Sequence, residues 1–183
     1  MKEYYWATEK IKLISERKKY AKRKWEELFD IDARKQLQHI VELPPIAYEE
    51  YEKKYEDCNE INPNGDSFSL YVENFQNEFV GWINVQNIDR KNGTFSIGIG
   101  IFKDFQRKGY GNDTINLVLG YCFNELRLNK CNSECLEFSI GSLKVHTKVG
   151  FKEEGRRRQC VYMNGKYHDI IQFGITSEEY NQR

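Results

Sequence analysis

The residues with the clearest chemical potential form the run 106–113, which reads Gln-Arg-Lys-Gly-Tyr-Gly-Asn-Asp. This run lies between a predicted strand and a predicted helix. The first turn of a helix exposes unpaired N–H groups and the positive end of the helix dipole, and glycines remove side chains that would block an anion. Arg107 and Lys108 add positive charge. The run predicts a binding site for a diphosphate group. The alternative is that this Gly-x-Gly turn only connects a strand to a helix and binds no ligand.

The segment before this loop alternates like a strand with one packed face and one bare face. Its apolar positions are Phe95, Ile97, Ile99 and Ile101. Gly98 and Gly100 lie between them. Two glycines weaken a strand, so they indicate either a close approach of another molecule to the backbone or a bulge that bends the strand.

Together these features resemble the GNAT superfamily of N-acetyltransferases. The family's coenzyme A signature is Gln or Arg, any two residues, Gly, any residue, then Gly or Ala, and Gln106, Gly109 and Gly111 fit it. Residues 143–151 look like the family's later helix with its Gly-Phe ending. Two motifs at the proper separation are much more specific than one.

Residues 151–156 and 164–169 are similar to the branch that includes ribosomal-protein N-terminal acetyltransferases and spermidine acetyltransferases. The resemblance implies one acetyltransferase domain over residues 1–183. It also implies an α+β fold, in which helices flank a central mixed, mostly antiparallel, splayed β-sheet.

By this resemblance acetyl-coenzyme A is the co-substrate. Backbone N–H groups in the loop would bind its diphosphate, and the preceding strand would pair with the pantetheine arm and leave an N–H free to polarise the thioester carbonyl. The predicted cofactor-binding residues are Ile99, Gly100, Ile101, Gln106, Arg107, Lys108, Gly109, Tyr110, Gly111, Asn112, Ser139 and Ser142. Ser139 stands where the family commonly has an asparagine.

The resemblance also suggests an acid and a base. A lysine-like amine has a pKa near 10.4, so a base or a water chain must remove a proton before attack, and the departing thiolate needs an acid. The family often places a tyrosine acid on the helix before Gly-Phe, and His146 holds that position. Glu134 matches where some N-terminal acetyltransferases hold a base. Tyr162 and Tyr167 are the alternative acids, and Glu137 is the alternative base. The non-catalytic interpretation is that the histidine is an ordinary packed residue and that both carboxylates are simply solvated.

These residues need elements to position them. Helical periodicity predicts helices over residues 15–37, 48–58, 112–126 and 142–149. Three Asn-Gly pairs, at residues 64–65, 92–93 and 164–165, are typical of tight turns between strands. They predict a β-meander in the middle of the chain and a hairpin near its end. A further strand is predicted at residues 133–138.

Composition limits the class of protein. The 183 residues are 39% hydrophobic and 14% aromatic, typical of a globular protein. Lys plus Arg number 28, as do Asp plus Glu, so no overall field favours DNA or an anionic membrane. We expect a cytoplasmic protein, because no apolar signal core or run of about 20 apolar residues is present.

The five scattered cysteines indicate reduced thiols. Cys131 and Cys135 lack a second ligand pair at finger spacing, so we expect no metal.

The acceptor is less defined. Seven carboxylates crowd the second predicted helix: Glu42, Glu49, Glu50, Glu52, Glu56, Asp57 and Glu60. They would suit a cationic amine, such as a peptide N-terminus, a polyamine or another small amine, but charge runs are usually solvated. The alternatives are a catalytically silent coenzyme A-binding module and a nucleotide-binding interaction domain. A homodimer is compatible with each.

Overall fold

The structure is a computed structural model that describes residues 5–29, 45–53 and 65–183. Its strands are β1 Ile11–Ser15, β2 Phe68–Asn74, β3 Phe79–Asp89, β4 Thr94–Ile101, β5 Lys130–Leu136, β6 Lys152–Met163 and β7 Lys166–Thr176. Its helices are α1 Ala21–Glu27, α2 Tyr48–Lys53, α3 Tyr110–Gly120, α4 Ile140–Val149 and α5 Ser177–Asn181. Short 3₁₀ turns cover Lys18–Tyr20 and Lys103–Phe105, and a π-helical turn at Tyr121–Glu125 continues α3.

The seven strands form one sheet in the order β1-β2-β3-β4-β5-β7-β6. All neighbouring pairs are antiparallel except β4 and β5, which are parallel. The hairpin between β6 and β7 places Asn164 at φ +50° and Gly165 at φ +82°. These left-handed conformations are the ones that an Asn-Gly pair favours in a two-residue turn. The predicted splayed, mostly antiparallel sheet and the hairpin are confirmed.

Each face of the sheet packs against different helices. On one face α3 and α4 cover the main apolar core, which includes Phe95, Ile97, Ile115, Val118 and Leu119. On the other face the segment that leads into α1 covers a smaller cluster formed by Ile14, Tyr71, Phe79 and Phe102. We call these the α3 face and the α1 face. The alternation predicted for β4 is confirmed, because Phe95 and Ile97 are buried in the main core while the glycines lie on the opposite face.

The central strands part partway along their length. β4 pairs with β3 from Thr94 to Ile101, with one register shift between Thr94 and Ser96. Its parallel ladder with β5 covers only three positions, from Thr94 against Lys130 to Ser96 against Asn132. From Ile97 onward, the edge of β4 that faces β5 is therefore outside the ladder. This opening, which we call the splay, lies next to the glycine-rich loop at the end of β4.

The helix predicted over residues 15–37 is wrong at its start, and α1 also ends earlier than predicted, at Glu27. Ser15 ends β1, a strand that the periodicity did not reveal, and α1 begins only at Ala21. The strand forms because Ile11 and Leu13 are buried against the main core and pair with β2, a tertiary contact that overrides the local pattern. Residues 30–37 lie outside the described residues.

Other boundaries shift by a few residues. The strand predicted at 133–138 begins at Lys130 and ends at Leu136, and helices α3 and α4 each begin two residues before the predicted position. α2 ends at Lys53 within the described range, so the prediction up to residue 58 lies partly outside it. Outside it too are Asn64 of the first Asn-Gly pair and the carboxylates Glu42, Glu56, Asp57 and Glu60.

One carboxylate is buried at the start of the α1 face. The side chain of Glu73 in β2 is only 2% exposed and lies 3.0 Å from the Lys12 ammonium and 3.5 Å from that of Lys19. The Tyr20 hydroxyl donates a hydrogen bond to the same carboxylate. Burial alone would raise the pKa of Glu73, but the Tyr20 hydrogen bond and the two lysines outweigh it and lower the pKa below its usual 4.5.

Replacing this carboxylate should therefore destabilise the fold. We expect Glu73→Gln to lower the free energy of unfolding at pH 7 by about 1.5–3 kcal/mol, the range for hydrogen bonds to a charged group. A lowered folded-state pKa means that the stabilisation is present above the usual pKa and is lost as the pH falls through the folded-state value. Denaturant unfolding between pH 7 and pH 3 should show the two proteins converging at low pH.

Glu26→Gln on the exposed side of α1 is the matched control and should leave unfolding unchanged at each pH. An equal free energy of unfolding for Glu73→Gln and wild type at pH 7 would contradict a stabilising role for the Glu73 carboxylate.

Candidate active site

The glycine-rich loop leads directly into α3. Gly109 is the residue before the helix, with φ +89°, and no side chain caps the helix N-terminus. A left-handed conformation of this kind suits glycine, because it lacks a Cβ. Tyr110, Gly111 and Asn112 then form the first turn, whose N–H groups have no acceptor further back in the helix. The loop therefore presents backbone donors and the positive end of the α3 dipole.

Cations surround this helix start. The side chains of Arg107 and Lys108 are exposed in the loop, and the Lys108 ammonium lies 5.0 Å from the centre of the Phe105 ring. A third cation, Lys10, comes from the turn before β1, and its Nζ would lie 3.2 Å from a Cβ built on Gly109. The sequence analysis missed Lys10, because nothing in the local pattern shows that the chain before β1 lies beside a loop about 100 residues later.

The same loop is fixed to the sheet. The side-chain amide of Gln106 donates a 3.0 Å hydrogen bond to the carbonyl of Ile101, the last residue of β4. A Cβ on Gly111 would lie 3.6 Å from Ile101 and 3.9 Å from Val145 of α4. The two glycines therefore differ: the positive φ of Gly109 suits glycine, whereas a Cβ on Gly111 would make ordinary van der Waals contacts with β4 and α4.

The edge of β4 at the splay carries backbone groups beyond the ladder. Ile101 accepts from Gln106, and the Ile97 carbonyl oxygen lies 3.3 Å from the Ser133 hydroxyl oxygen across the splay. Backbone polar groups of alternate residues point to the same side of a strand, so the N–H and carbonyl of Ile99 point into the splay as well. Ile99, Gly100 and Ile101, predicted as the pantetheine-binding strand, therefore present a strand edge there.

On the α1 face, Gly100 of β4 is covered by a side chain, whereas Gly98 is not. A Cβ on Gly100 would lie 2.6 Å from the indole ring of Trp82, so the ring lies directly over the Gly100 backbone. A Cβ on Gly98 would meet no atom within 4 Å. The bare face of β4 is thus covered by an aromatic ring at one glycine and open at the other. Trp82 was also missed, although its pairing with Gly100 would follow from a known β3–β4 register.

His146 lies inside the α3 face. It is 2% exposed, and its ring stacks on Phe173 at 4.8 Å between centroids. Its Nδ1 is 2.8 Å from the carbonyl oxygen of Ser142, and its Nε2 is 2.8 Å from the hydroxyl of Ser133. A carbonyl only accepts, so Nδ1 carries a proton, and in the neutral ring Nε2 accepts from Ser133. The structure therefore brings predicted residues His146 and Ser142 together with Ser133, which sequence reasoning missed.

Burial also sets the protonation of this ring. It lowers the pKa of His146 below its usual 6.5, and the hydrogen bond to the Ser142 carbonyl only partly opposes this. His146 is therefore mainly neutral at pH 7. In this neutral tautomer Nε2 carries no proton, so His146 can donate one toward the splay only after Nε2 has been protonated, and the Ser133 hydroxyl lies on that path. Its role as a proton donor stays a prediction.

Glu134 lies on the other side of β5 from Ser133, because side chains alternate along a strand. It shares the α1 face with Gly98 and Trp82, and its carboxylate is 2.5 Å from the guanidinium of Arg157, with both side chains nearly half exposed. The structure does not place Glu134 against His146, and its role as base stays a prediction.

The alternative acids and base have other partners. Tyr162 and Tyr167 are 63% and 62% exposed and contact each other beside the β6–β7 turn. The Glu137 carboxylate lies 3.2 Å from Arg156 and 3.4 Å from the His168 ring. Ser139 precedes α4, and its backbone N–H donates to the carbonyl of Leu136.

Two further observations concern metals and membranes. Among residues 5–29, 45–53 and 65–183, no three His, Cys, Asp or Glu side chains are arranged to hold a metal ion. Cys131 and Cys135 are instead buried, as expected for apolar cysteines. Within the same ranges no helix combines the length and apolar character needed to cross a bilayer.

The loop, the splay and the α3 dipole fit a ligand in which a diphosphate is joined to an extended arm. Comparison with known proteins identifies the family to which this arrangement belongs. The GNAT acetyltransferase domain model matches residues 18–152. GNAT acetyltransferases use acetyl-coenzyme A as co-substrate.

Individual relatives agree with the family model. An uncharacterized N-acetyltransferase derived from the SPbeta prophage of Bacillus subtilis is 36% identical over 115 residues, which is 63% of this chain and 65% of that protein. The match thus spans slightly less than two thirds of that relative. The spermidine N(1)-acetyltransferase of Vibrio cholerae is 25% identical over 147 residues, 80% of this chain and 83% of that protein.

The fold has counterparts among solved structures. The crystal structure of Vibrio cholerae spermidine N-acetyltransferase in complex with CoA and spermine superposes with a TM-score of 0.81 at 20% identity, and the match covers 95% of this chain and 99% of that one. At that identity the likeness concerns the fold. With the family model covering residues 18–152 and the signature at Gln106, Gly109 and Gly111 standing at the start of α3, the chain belongs to the GNAT acetyltransferase family.

Proposed function

We propose that this protein transfers the acetyl group of acetyl-coenzyme A to a primary amine, with both substrates bound at once. One observation carries the proposal: the uncapped start of α3 and the unpaired edge of β4 meet at one place, and the open backbone face at Gly98 lies on the same strand. The first two fit the diphosphate and the extended arm of coenzyme A, and the third leaves room for an acceptor to reach the strand.

The residues that would hold the co-substrate have separate tasks. The N–H groups of the loop from Arg107 to Asn112 would bind the diphosphate, and Lys10 would add charge beside Gly109. The splay edge at Ile99 would pair with the extended arm and leave a donor for the carbonyl oxygen that becomes negative during transfer. Removing a donor of this kind costs about 10²–10³ in rate in other enzymes. Acetyl-coenzyme A supplies an acetyl group already activated as a thioester.

Proton transfer is the other task of the protein. Over the whole reaction an amide C–N bond replaces the thioester C–S bond, and the amine gives up protons while the thiolate gains one. Glu134 lies on the α1 face and would receive the amine proton directly or through water. His146 would return a proton on the opposite side through Ser133, once Nε2 has taken up a proton from solvent to replace the one that the amine releases. The two predicted groups therefore lie on opposite faces of β5, as an acid and a base that act on different partners.

The direct test is acetyl transfer to an amine panel. We expect thiol release and a matching mass increase of 42 Da, about the mass that one acetyl group adds, with at least one member of a panel of polyamines, aminoglycosides and peptides that begin with alanine or serine. Product mass has to accompany the thiol assay, because Cys160 is exposed and reacts with thiol reagents itself. Tight binding of acetyl-coenzyme A without product from any amine would instead establish the silent binding module.

The loop can be tested by substitution of Gly109. We expect Gly109→Glu to weaken acetyl-coenzyme A binding by about a hundredfold or more, because it places a carboxylate beside the diphosphate and forces a side chain onto a residue with φ +89°. Isothermal titration calorimetry would measure the loss.

Gly165→Glu is the matched control for strain. Gly165 also has a positive φ, of +82°, but lies in the β6–β7 turn with open space around a built Cβ. This variant should bind acetyl-coenzyme A like wild type, while unchanged affinity in Gly109→Glu would remove the loop from the site.

The predicted acid can be tested through its relay. We expect His146→Phe and Ser133→Ala each to lower kcat, by about 10² or more for loss of a general acid, with little change in acetyl-coenzyme A affinity. Steady-state kinetics and calorimetry measure the two quantities separately. Full retained turnover in both variants would leave His146 as a packed core residue.

The pH dependence of stability provides an independent check on the His146 pKa. A folded-state pKa below the usual 6.5 means that the unfolded chain binds the proton more readily, so wild type should lose stability as the pH falls below 6.5. His146→Phe should lack this loss. A wild-type protein that gains stability over the same pH range relative to the variant would contradict a buried, neutral His146.

A further inference from the structure

One lysine on the α1 face lies where a substrate ammonium could bind. Lys24 of α1 points its Nζ at two rings, 5.1 Å from the centre of Tyr71 and 5.7 Å from that of Trp82. The same nitrogen is 3.2 Å from the carboxylate of Glu16, and both charged side chains are 23% exposed. Two aromatic faces and one carboxylate form the usual recognition set for an alkylammonium ion.

The sheet register places this set next to the splayed strand. Tyr71 on β2 pairs with Trp82 on β3, and Trp82 pairs with Gly100 on β4. The three residues therefore form one row across the α1 face, and Trp82 contacts the backbone of Gly100 directly. The ammonium of Lys24 is thus one aromatic ring away from the strand proposed to carry the thioester.

The neighbouring row supplies a polar group with no partner in the described structure. Asn84 pairs with Gly98, the glycine with open space above it. The side-chain oxygen of Asn84 is buried and accepts no hydrogen bond within the described part of the chain. A buried acceptor without a donor is costly, and an incoming N–H group would satisfy it. The row next to the one that holds Lys24 is therefore open at Gly98 and able to accept a hydrogen bond at Asn84.

From these contacts we propose that Glu16, Tyr71 and Trp82 form the subsite for the acceptor's ammonium group, and that Lys24 occupies it until the acceptor displaces it. The inference rests on the proposed acetyltransferase function. The exchange keeps the charge balanced, because one ammonium replaces another beside Glu16. Lys24 extends from the surface of a helix, so its flexible four-carbon chain can move to solvent when it is displaced.

The Lys24 side chain, which occupies the proposed subsite, indicates the class of acceptor. A lysine side chain is a primary ammonium on an unbranched aliphatic chain, and its methylene groups lie along aromatic surface while the charge meets a carboxylate. The acceptor class is accordingly a primary alkylamine of this kind, rather than the α-amino group of a peptide, whose neighbouring carbon is branched.

The test uses 1,5-diaminopentane as the probe and two pairs of variants. We expect Lys24→Ala to lower the KM for the diamine about tenfold, because the internal competitor is removed, and Glu16→Gln to raise it about tenfold. Lys22→Ala and Glu26→Gln alter exposed residues of α1 and are the matched controls, with KM expected within about twofold of wild type. Thermal unfolding of all five proteins reveals any loss of folding.

Calorimetry with the coenzyme A-bound protein separates this inference from the proposed function. Diamine binding that is tightened by Lys24→Ala and weakened by Glu16→Gln supports the subsite even if no acetylated product forms. Product formation with equal diamine KM in Lys24→Ala and Lys22→Ala overturns the subsite and leaves the function intact. A looser diamine complex in Lys24→Ala, or improvement only for alanine- or serine-starting peptides, also overturns it.

Discussion

The site depends on one interruption: the parallel ladder between β4 and β5 stops after three positions. A continued ladder would consume the backbone groups of Ile99 and bury the strand edge. Because the ladder stops, that edge faces a gap that a flat extended molecule could fill with the hydrogen bonds of a missing strand. On its other side β4 pairs with β3 without interruption from Ser96 to Ile101, so the exposed edge is held in place. A rigid strand with one free edge is the feature around which the loop, the helices and the neighbouring side chains are arranged.

Side chains from several elements keep the gap in shape. Gln106 ties the loop to Ile101 at one end, while at the other the Ser133 hydroxyl bridges to Ile97 where the next ladder bond would form. His146 holds Ser133 from α4, and its burial between aromatic rings fixes its orientation. Of these contacts, the one between Ser133 and Ile97 joins β5 to β4 across the gap, through a side chain and without closing the ladder. Ser133 and His146 thus have a structural reason to be present that is independent of any proton transfer.

The sequence predicted the parts of this site whose signals are local. The spacing of Gly109 and Gly111 before a periodic helix, and the alternation along β4, both depend on neighbours within a few residues. The features that it missed depend on pairing between distant segments. β1 has only five residues in a charged stretch, so its pairing with β2 leaves little trace in the local pattern. Lys10 and Trp82 became recognisable only when the register placed them beside Gly109 and Gly100. Sequence periodicity gives the faces of elements, whereas the contacts between elements require the fold.

The placement of the described thiols argues against an acetyl-enzyme formed on cysteine. An acyl-enzyme route needs a reactive nucleophile at the splay, and a thiolate would be the natural one. Burial raises the pKa of Cys122 to about 12 and that of Cys131 well above its usual 9. Cys135 is raised in the same direction for the same reason. Cys160 is exposed, but it lies on β6 at the outer edge of the sheet, two strands from β5. Within the described residues, these cysteines are therefore either protonated and enclosed or remote from the splay. The open face at Gly98 would give the amine a route to the strand, as the proposed direct transfer requires.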